Sequence, residues 1–234
     1  MINVSDFEYL PKHLAVIMDG NRRWAICQGI KEAEGYKEGG KVAYNIVQYC
    51  LELKIPYLTL YAFSMENWLR SKTEVDTLIS LLYSTLCQKI DLIHDSNVKL
   101  NFIGDFSLLP EKVVEMIEKA QEATARNTGL VLTIAISYGA RQEIAKAVRD
   151  IVKNNIEVNS ISESTIKNFL YTKDLPELDL LIRTGDKKRL SNFLLWQSAY
   201  TELYFCNIFW PDFSYQHLAV ALKDYIMRDR KYGK

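Results

Sequence analysis

Short apolar segments alternate with longer segments of helical spacing along most of this chain. Six runs have the length and β-branched character of buried strands: His13 to Met18, Tyr57 to Phe63, Val98 to Ile103, Val131 to Ser137, Leu178 to Ile182 and Leu203 to Phe205. Helical spacing occupies Gly40 to Leu53, Thr73 to Ile93, Glu111 to Arg126, Arg141 to Val152 and Tyr215 to Arg228. The alternation predicts an α/β fold with a central, mostly parallel six-stranded sheet flanked by helices.

Composition limits the classes of protein to consider. No repeat, low-complexity tract or Pro/Gly/Ser-rich linker interrupts the 234 residues, so we expect a single domain over residues 1–234. The 29 Lys and Arg balance the 29 Asp and Glu. A neutral chain has no overall basic field to recruit nucleic acid, so any anion site must be local.

Cysteine spacing and hydropathy indicate the cellular setting. The four cysteines form no C-x-x-C pair, and with only three histidines they do not support a zinc site. The N-terminal segment lacks the basic-then-apolar pattern of a signal peptide, and no apolar stretch approaches the ~18 residues of a membrane span. We therefore expect a cytoplasmic, reduced protein.

Polar and glycine residues follow four of the predicted strands. These segments are Asp19 to Trp24, Ser64 to Trp68, Tyr138 to Arg141 and Arg183 to Gly185. In open α/β sheets, ligands bind outside the carboxyl ends of the strands. If the strands are parallel, the four loops converge on one crevice.

The first of these loops suits a metal–phosphate site. Its backbone N–H groups, with Arg22 and Arg23, can hold phosphate oxygens. Asp19 alone would repel phosphate, but a magnesium ion between the two removes the conflict. A turn-forming Asp before Gly20 is the alternative, and the local motif does not decide between them.

A second anion pocket is predicted after the fifth strand. Arg183 ends that strand, and Arg189 precedes Ser191, which we place at a helix start where a hydroxyl caps the helix or binds phosphate. Surface ion pairs with neighbours such as Asp186 are the competing interpretation. Two anion pockets beside an apolar cavity would suit an enzyme that joins two diphosphates.

Two further features need weighing. Gly35 to Val42 nearly spells a P-loop, but its eighth position is Val and no predicted strand precedes it, so a nucleotide loop is disfavoured. The helix Thr73 to Ile93 has a wide apolar surface. Core packing explains such a surface, and a tunnel for an aliphatic chain would use the same residues.

Several ordered motifs carry a family resemblance. His13 to Ala25, which contains Met18-Asp19-Gly20-Asn21-Arg22-Arg23-Trp24, closely resembles the signature of the cis-prenyltransferases, particularly the bacterial undecaprenyl diphosphate synthases. Further matching blocks are Leu58 to Ser64 with Glu66-Asn67-Trp68 and Arg70, Ile103-Gly104-Asp105, Asp179 to Gly185, and Arg189 to Gln197 followed by Glu202 to Phe205 and Trp210 to Phe213. The resemblance covers nearly the whole chain.

The resemblance implies roles for individual residues. Asp19 matches the magnesium-binding aspartate, Asn67 the asparagine that assists proton removal, and Glu202 a second acidic residue associated with magnesium. The cradle of the allylic diphosphate matches Gly20, Asn21, Arg22 and Arg23, and the isopentenyl diphosphate pocket matches Arg183, Arg189 and Ser191. Arg70 matches a phosphate-binding arginine, and further substrate-binding positions match Trp24, Tyr36, Ser64, Met65, Glu66, Trp68 and Leu190.

The resemblance also implies a reaction. Isopentenyl diphosphate units are added to farnesyl diphosphate with Mg²⁺, giving a long polyprenyl diphosphate, by default undecaprenyl diphosphate, the lipid carrier for cell-wall glycans. The family is typically homodimeric, and release of its lipid product implies transient contact with the inner face of the membrane. A hydrophobic tunnel is expected to hold the growing chain.

The sequence departs from the family pattern at some site positions. Tyr36 stands where histidine is common, Glu32 where a basic residue is common, Met65 where Ser or Thr is usual, and Asp186-Lys187 where Gly-Glu is typical. A phenol can still bind phosphate, whereas Glu32 cannot, and Lys31 is a candidate to replace it. The tail Arg230 to Gly233 is similar to a family segment that reaches toward the site.

Two other functions stay open from the sequence. One is a non-catalytic subunit that activates a partner prenyltransferase, although such members tend to lose the aspartate and arginines that this chain keeps. The other is a nucleotide or sugar-phosphate enzyme on a doubly wound sheet, because a fold alone does not fix function.

Overall fold

Residues 9–228 are described by a computed structural model, and they form a six-stranded sheet in which every neighbouring pair of strands is parallel. The strands are β1 (His13–Ile17), β2 (Tyr57–Ser64), β3 (Lys99–Ile103), β4 (Val131–Tyr138), β5 (Leu180–Arg183) and β6 (Glu202–Phe205). Their spatial order is β3-β4-β2-β1-β5-β6. The predicted α/β fold and its six parallel strands are confirmed.

Seven α-helices accompany the sheet within the described chain. They are α1 (Asn21–Cys27), α2 (Glu32–Glu52), α3 (Lys72–Asp95), α4 (Glu111–Thr124), α5 (Ala140–Lys153), α6 (Glu163–Phe169) and α7 (Tyr215–Ile226). Short 3-10 turns cover Met65–Leu69, Phe106–Leu108, Val158–Ser160 and Trp210–Asp212. No helix of residues 9–228 is long and apolar enough to cross a bilayer.

Strand β1 is central because it is apolar on both faces. All five of its residues are buried, and β2 and β5 pair with its two edges. Leu14 and Val16 belong to one hydrophobic cluster, whereas Ala15 and Ile17 belong to a second. Since alternate side chains of a strand point to opposite faces, a core lies on each side of the sheet.

Helix α2 begins eight residues earlier than the predicted Gly40 start. The P-loop-like segment lies inside this helix, so a nucleotide loop is excluded there. Its glycines permit close packing against α1: a Cβ at Gly39 would lie 2.2 Å from Asn21 Oδ1, and one at Gly35 would lie 2.4 Å from the Asn21 carbonyl oxygen. Helices α1 and α6, of seven residues each, were absent from the sequence prediction.

The predicted helix start at Ser191 is wrong. The chain after Arg189 runs through turns to residue 200, and no helix begins there. Ser191, Asn192 and Leu194 have φ values of 49°, 61° and 44°, and left-handed backbone does not propagate an L-residue helix. The Ser191 hydroxyl is therefore positioned by a turn.

The strand order places a ligand crevice beside β1. Strand β2 follows β1 on one side, while β5 pairs with the other edge after the chain has passed through β3 and β4. This reversal is the topological switch point at which open α/β sheets bind ligands.

Candidate active site

A large cavity opens at the carboxyl ends of the central strands. Its volume is about 1290 Å³, above the ~300–1000 Å³ of ordinary ligand pockets. Apolar side chains of α2, α3 and the sheet form much of its wall, including Ala43, Val47, Leu78, Leu82 and Leu86. The predicted hydrophobic tunnel thus lies between α2, α3 and the sheet.

The cavity collects many of the predicted site residues. Those that line it are Asp19, Asn21, Tyr36, Ser64, Glu66, Asn67, Arg70, Arg183, Arg189 and Ser191. Those outside its lining are Gly20, Arg22, Arg23, Trp24, Met65, Trp68, Leu190 and Glu202. The sequence prediction therefore identified a share of the polar wall, and the other predicted residues lie outside the lining.

Asp19 is held between two arginines. Its Oδ1 lies 3.0 Å from Arg23 Nη2, and its Oδ2 accepts a hydrogen bond of 2.8 Å from Arg183 Nη2. Its backbone carbonyl accepts a 2.7 Å bond from Thr184 Oγ1. The carboxylate is 27% exposed, so it faces the cavity while its position is fixed from both sides.

Arg183 links Asp19 to the predicted second anion pocket. Its side chain is 4% exposed, and its Nη1 donates to Ser191 Oγ at 2.7 Å and to the backbone carbonyl of Arg189. Strand pairing explains the contact with Asp19, because Arg183 is in register with Ile17 at the end of β1. Two positive side chains here share one carboxylate, which leaves an excess positive charge for an anion.

Asn67 is fixed by a reciprocal capping box. Ser64 Oγ accepts from Asn67 N at 3.2 Å, and Asn67 Oδ1 accepts from Ser64 N at 3.0 Å. The carboxamide oxygen is therefore engaged at the end of β2. Within residues 9–228, Asn67 Nδ2 makes no hydrogen bond, so its N–H groups are the ones that a ligand can use.

Tyr36 takes part in a compact cluster at the cavity rim. Its hydroxyl donates to Glu74 Oε1 at 2.5 Å, and Arg70 Nη1 donates to both Tyr36 Oη (3.0 Å) and Glu74 Oε1 (2.7 Å). Burial, with the bond to Glu74, raises the pKa of Tyr36 well above its usual value. The phenol therefore stays protonated and remains a hydrogen-bond donor at neutral pH.

Other predicted residues support the wall. Trp24 Nε1 donates to Asp212 Oδ1 at 2.8 Å and thereby joins α1 to the turn after β6. Ser137 Oγ lies 3.0 Å from Trp68 Nε1, from which it accepts, and 3.3 Å from Met65 Sδ, to which it donates. These contacts fix the Met65–Leu69 turn against β4.

Glu202 lies away from Asp19. It is paired with Leu180, and Leu180 with Leu14, so Asp19 is five residues farther along the strand direction, about 16 Å at ~3.3 Å per residue. Glu202 Oε2 instead accepts a 2.8 Å bond from Arg228 Nη1. No contact in the described chain brings the two carboxylates together, and the metal role of Glu202 stays a prediction.

The site near Asp19 fits magnesium held partly by substrate. No group of three or more His, Cys, Asp or Glu side chains in residues 9–228 could enclose a metal. Magnesium typically binds one or two carboxylates and completes its shell with phosphate oxygens and water. Asp19, a cavity-facing carboxylate held between Arg23 and Arg183, matches that ligand set.

Several polar residues of the site were given no individual role in the sequence analysis. Asn192 Nδ2 donates to Glu66 Oε1 at 2.9 Å, and Asn192 Oδ1 accepts from Arg141 N at 2.9 Å. Arg141 also lines the cavity. The position of Arg141 just after β4 is a signal that could have identified it. The i,i+4 spacing from Arg70 could likewise have identified Glu74. The tail from Arg230 to Gly233 lies outside the described residues.

We expect Gly185→Ala to damage both stability and activity. Gly185 has φ +81°, and a Cβ there would lie 2.6 Å from Arg23 Nη2 and 2.9 Å from the Asp19 carbonyl oxygen. The strained backbone and the clash should lower the free energy of unfolding by about 2 kcal/mol, measured by urea denaturation. The displaced Arg23 should also lower kcat/KM.

Gly40→Ala is the matched control for this substitution. Nothing lies within 4 Å of a Cβ at Gly40, which is inside α2, so alanine there should stabilise slightly. Equal unfolding free energies for the two variants would contradict the role given to Gly185.

Comparisons with known proteins agree with this geometry. A family model described as "Putative undecaprenyl diphosphate synthase" matches residues 17–233. The isoprenyl transferase of Clostridium tetani is 45% identical over 232 residues, which cover 97% of this chain and 91% of that protein. The isoprenyl transferase of Geobacter sulfurreducens is 44% identical over 229 residues, which cover 96% of this chain and 93% of that protein.

Two solved structures have the same fold. Lavandulyl diphosphate synthase from Lavandula x intermedia, in complex with dimethylallyl diphosphate, superposes with a TM-score of 0.92 at 34% identity, covering 96% of this chain and 99% of that one. A protein from Campylobacter jejuni described as a "probable undecaprenyl diphosphate synthase" superposes with a TM-score of 0.81 at 38% identity. The match covers 97% of this chain and 100% of that one. This chain belongs to the undecaprenyl diphosphate synthase family of prenyl transferases.

Proposed function

We propose that this enzyme is a magnesium-dependent cis-prenyltransferase that adds isopentenyl diphosphate units to farnesyl diphosphate. The product is a long-chain polyprenyl diphosphate, with undecaprenyl diphosphate, a lipid carrier for cell-wall glycan synthesis, as the expected length. The observation that carries the proposal is one continuous cavity in which basic side chains meet at Asp19 and an apolar tunnel extends from them.

The two diphosphates have separate sets of side chains. The allylic diphosphate is assigned to Arg23, with Arg22, Tyr36 and Arg70 at the rim, and isopentenyl diphosphate to Arg183, Arg189 and Ser191. The dimethylallyl diphosphate bound in the lavandulyl diphosphate synthase structure supports an allylic diphosphate ligand for this fold. Asp19 lies between the two sets.

The residues present suit carbon–carbon bond formation. The isopentenyl double bond attacks the allylic carbon, the bond from that carbon to the diphosphate oxygen breaks, and a proton leaves the isopentenyl unit to set a cis double bond. Arginine N–H groups stabilise the charge on the departing diphosphate. When bound, magnesium supplies further neutralisation of that charge.

The remaining side chains position the reactants and exclude water. Apolar residues of α2 and α3 keep water from the allylic carbon, which would otherwise be hydrolysed. Because Asn67 Oδ1 is engaged by Ser64 N, we assign Asn67 to orienting the diphosphates through its N–H groups while the proton leaves.

The competing functions lack support from the geometry. An activating subunit would not need Asp19 fixed between Arg23 and Arg183 at the entrance to a cavity. A nucleotide enzyme would need a phosphate loop, and the P-loop-like segment is helical. We therefore retain the prenyltransferase assignment despite the departures at Glu32, Tyr36 and Met65.

We also propose a homodimer that acts in the cytoplasm, with its lipid product passed to the inner face of the membrane. Strand β6 is an edge strand whose four residues are only half-buried, which leaves an edge for a second copy to cover. A long polyprenyl chain is itself apolar, so the bilayer is its natural acceptor.

Release of pyrophosphate tests the reaction class. We expect purified protein to release pyrophosphate only when farnesyl diphosphate, isopentenyl diphosphate and Mg²⁺ are all present, because the leaving group departs as the second substrate attacks. Either diphosphate alone, and the full mixture with EDTA, are the controls. Release that is independent of isopentenyl diphosphate would indicate hydrolysis and would reject the proposal.

A further inference from the structure

Arg70, which lines the cavity, and Arg22, which lies outside its lining, are each paired with a carboxylate, and we call these two the rim pairs. Arg22 Nε donates to Glu32 Oε1 at 2.7 Å, and Arg70 Nη1 donates to Glu74 Oε1 at 2.7 Å. The two rim pairs together carry two positive and two negative charges. Around Asp19, by contrast, Arg23 and Arg183 share one carboxylate. Each rim pair is therefore neutral, whereas the group around Asp19 keeps one positive charge in excess.

Glu32 is the more exposed of the two carboxylates in the rim pairs. It is the first residue of α2, one turn before Tyr36, so the two side chains lie on the same face of that helix. The side chains of Arg22 and Glu32 are 59% and 35% exposed, against 12% for Glu74. An ion pair that is this exposed is weak and opens readily, so Arg22 can exchange Glu32 for another anion.

The two rim pairs are close enough to act on one another. The pKa of Arg22 is raised first by its hydrogen bond to Glu32, then by the charge of Glu32, and also by the charge of Glu74. Tyr36 lies one turn after Glu32 on α2 and donates to Glu74, so both carboxylates belong to the same side of this helix. A diphosphate that binds there must displace the Glu32 carboxylate from Arg22 and tolerate its remaining charge.

We propose that Glu32 sets the affinity for the allylic diphosphate, by holding Arg22 in the empty site and by repelling the bound anion. This inference rests on the proposed function, since it assigns the rim to the allylic substrate. Glu32 is a positioning residue, because it acts through Arg22 and takes no part in bond formation. Its effect falls on the primer and spares isopentenyl diphosphate, which is bound around Arg183.

Glu32→Gln tests the inference. We expect the dissociation constant of farnesyl diphosphate, measured by calorimetry without isopentenyl diphosphate, to fall about three- to tenfold, as removal of one nearby unit charge in a solvated site implies. The KM for farnesyl diphosphate should fall similarly, while kcat and the KM for isopentenyl diphosphate stay within about twofold.

Two matched variants isolate the charge at this position. Glu34→Gln removes a charge from the same turn of α2, where Glu34 pairs with Lys37 at 2.8 Å, and should leave the affinity unchanged. Glu32→Asp keeps the charge and should retain wild-type affinity. Binding that is unchanged or weaker in Glu32→Gln, or equally strengthened in Glu34→Gln, would overturn the inference.

The calorimetry also separates this inference from the proposed function. If both proteins bind farnesyl diphosphate, Glu32→Gln more tightly than wild type, but neither turns it over, the role given to Glu32 is supported and the proposed reaction is rejected. If both proteins turn over and bind farnesyl diphosphate equally tightly, the reaction is supported and the role given to Glu32 is rejected.

Discussion

Asp19→Asn should reduce kcat for incorporation of isopentenyl units by about 1000-fold or more. The asparagine side chain would keep the size of the aspartate and an oxygen for Arg183, but it would lose the negative charge that binds Mg²⁺ and balances Arg23 and Arg183. The measurement is steady-state incorporation of labelled isopentenyl diphosphate at saturating substrates and Mg²⁺.

A neighbouring aspartate provides the control for this variant. Asp186 is exposed, and its positive φ of 61° is one that asparagine tolerates, so Asp186→Asn should keep wild-type kcat. Circular dichroism melts of both variants check that they fold. An Asp19→Asn enzyme with more than about a tenth of wild-type kcat would contradict the role given to this carboxylate.

Arg183→Lys should lower kcat/KM for isopentenyl diphosphate by about 100- to 1000-fold. The guanidinium of Arg183 donates at once to Asp19, to Ser191 and to the Arg189 carbonyl from a buried position. Lysine keeps the charge but cannot reproduce that planar set of donors, so both the anion pocket and Asp19 should lose their positions. Initial rates against isopentenyl diphosphate concentration measure the effect.

An exposed arginine on α5 serves as the control for that substitution. Arg149 is exposed and does not line the cavity, so Arg149→Lys makes the same chemical change and should leave kcat/KM unaltered. If Arg183→Lys retained kcat/KM within about fivefold, a point charge would suffice there, and the geometric argument for the guanidinium would fail.

The inner part of the site could be predicted from the sequence because strand ends determine it. Asp19 follows β1 and Arg183 ends β5, and parallel pairing of these strands brings the two residues together. The polar loops after β2 and β4 reach the same edge for the same reason. Recognising the apolar strands in the sequence was therefore enough to predict which loops meet at the cavity.

The rim could not be predicted in the same way. Tyr36 and Glu74 are 38 residues apart and lie on different helices, so their contact depends on how α2 packs against α3. The start of α2 was missed because glycines disfavour helices in general, whereas Gly35 and Gly39 are needed here for close contact with Asn21.

The Ser191 turn and Glu202 show two further limits. The sequence does not display the left-handed backbone at Ser191, Asn192 and Leu194 that replaces the predicted helix start. Glu202 matched a family motif, but the register of β6 places it at the strand end opposite Asp19. Motif position alone could not reveal which end of the sheet it occupies.

The most direct test of the central claim is the product itself. Purified protein is incubated with farnesyl diphosphate, labelled isopentenyl diphosphate and Mg²⁺, and the extracted products are sized by chromatography. We predict magnesium-dependent polyprenyl diphosphates many units longer than the primer, because the polar site and the apolar tunnel form one cavity of about 1290 Å³. Absence of labelled product at any Mg²⁺ concentration would contradict the claim that this cavity joins two diphosphates.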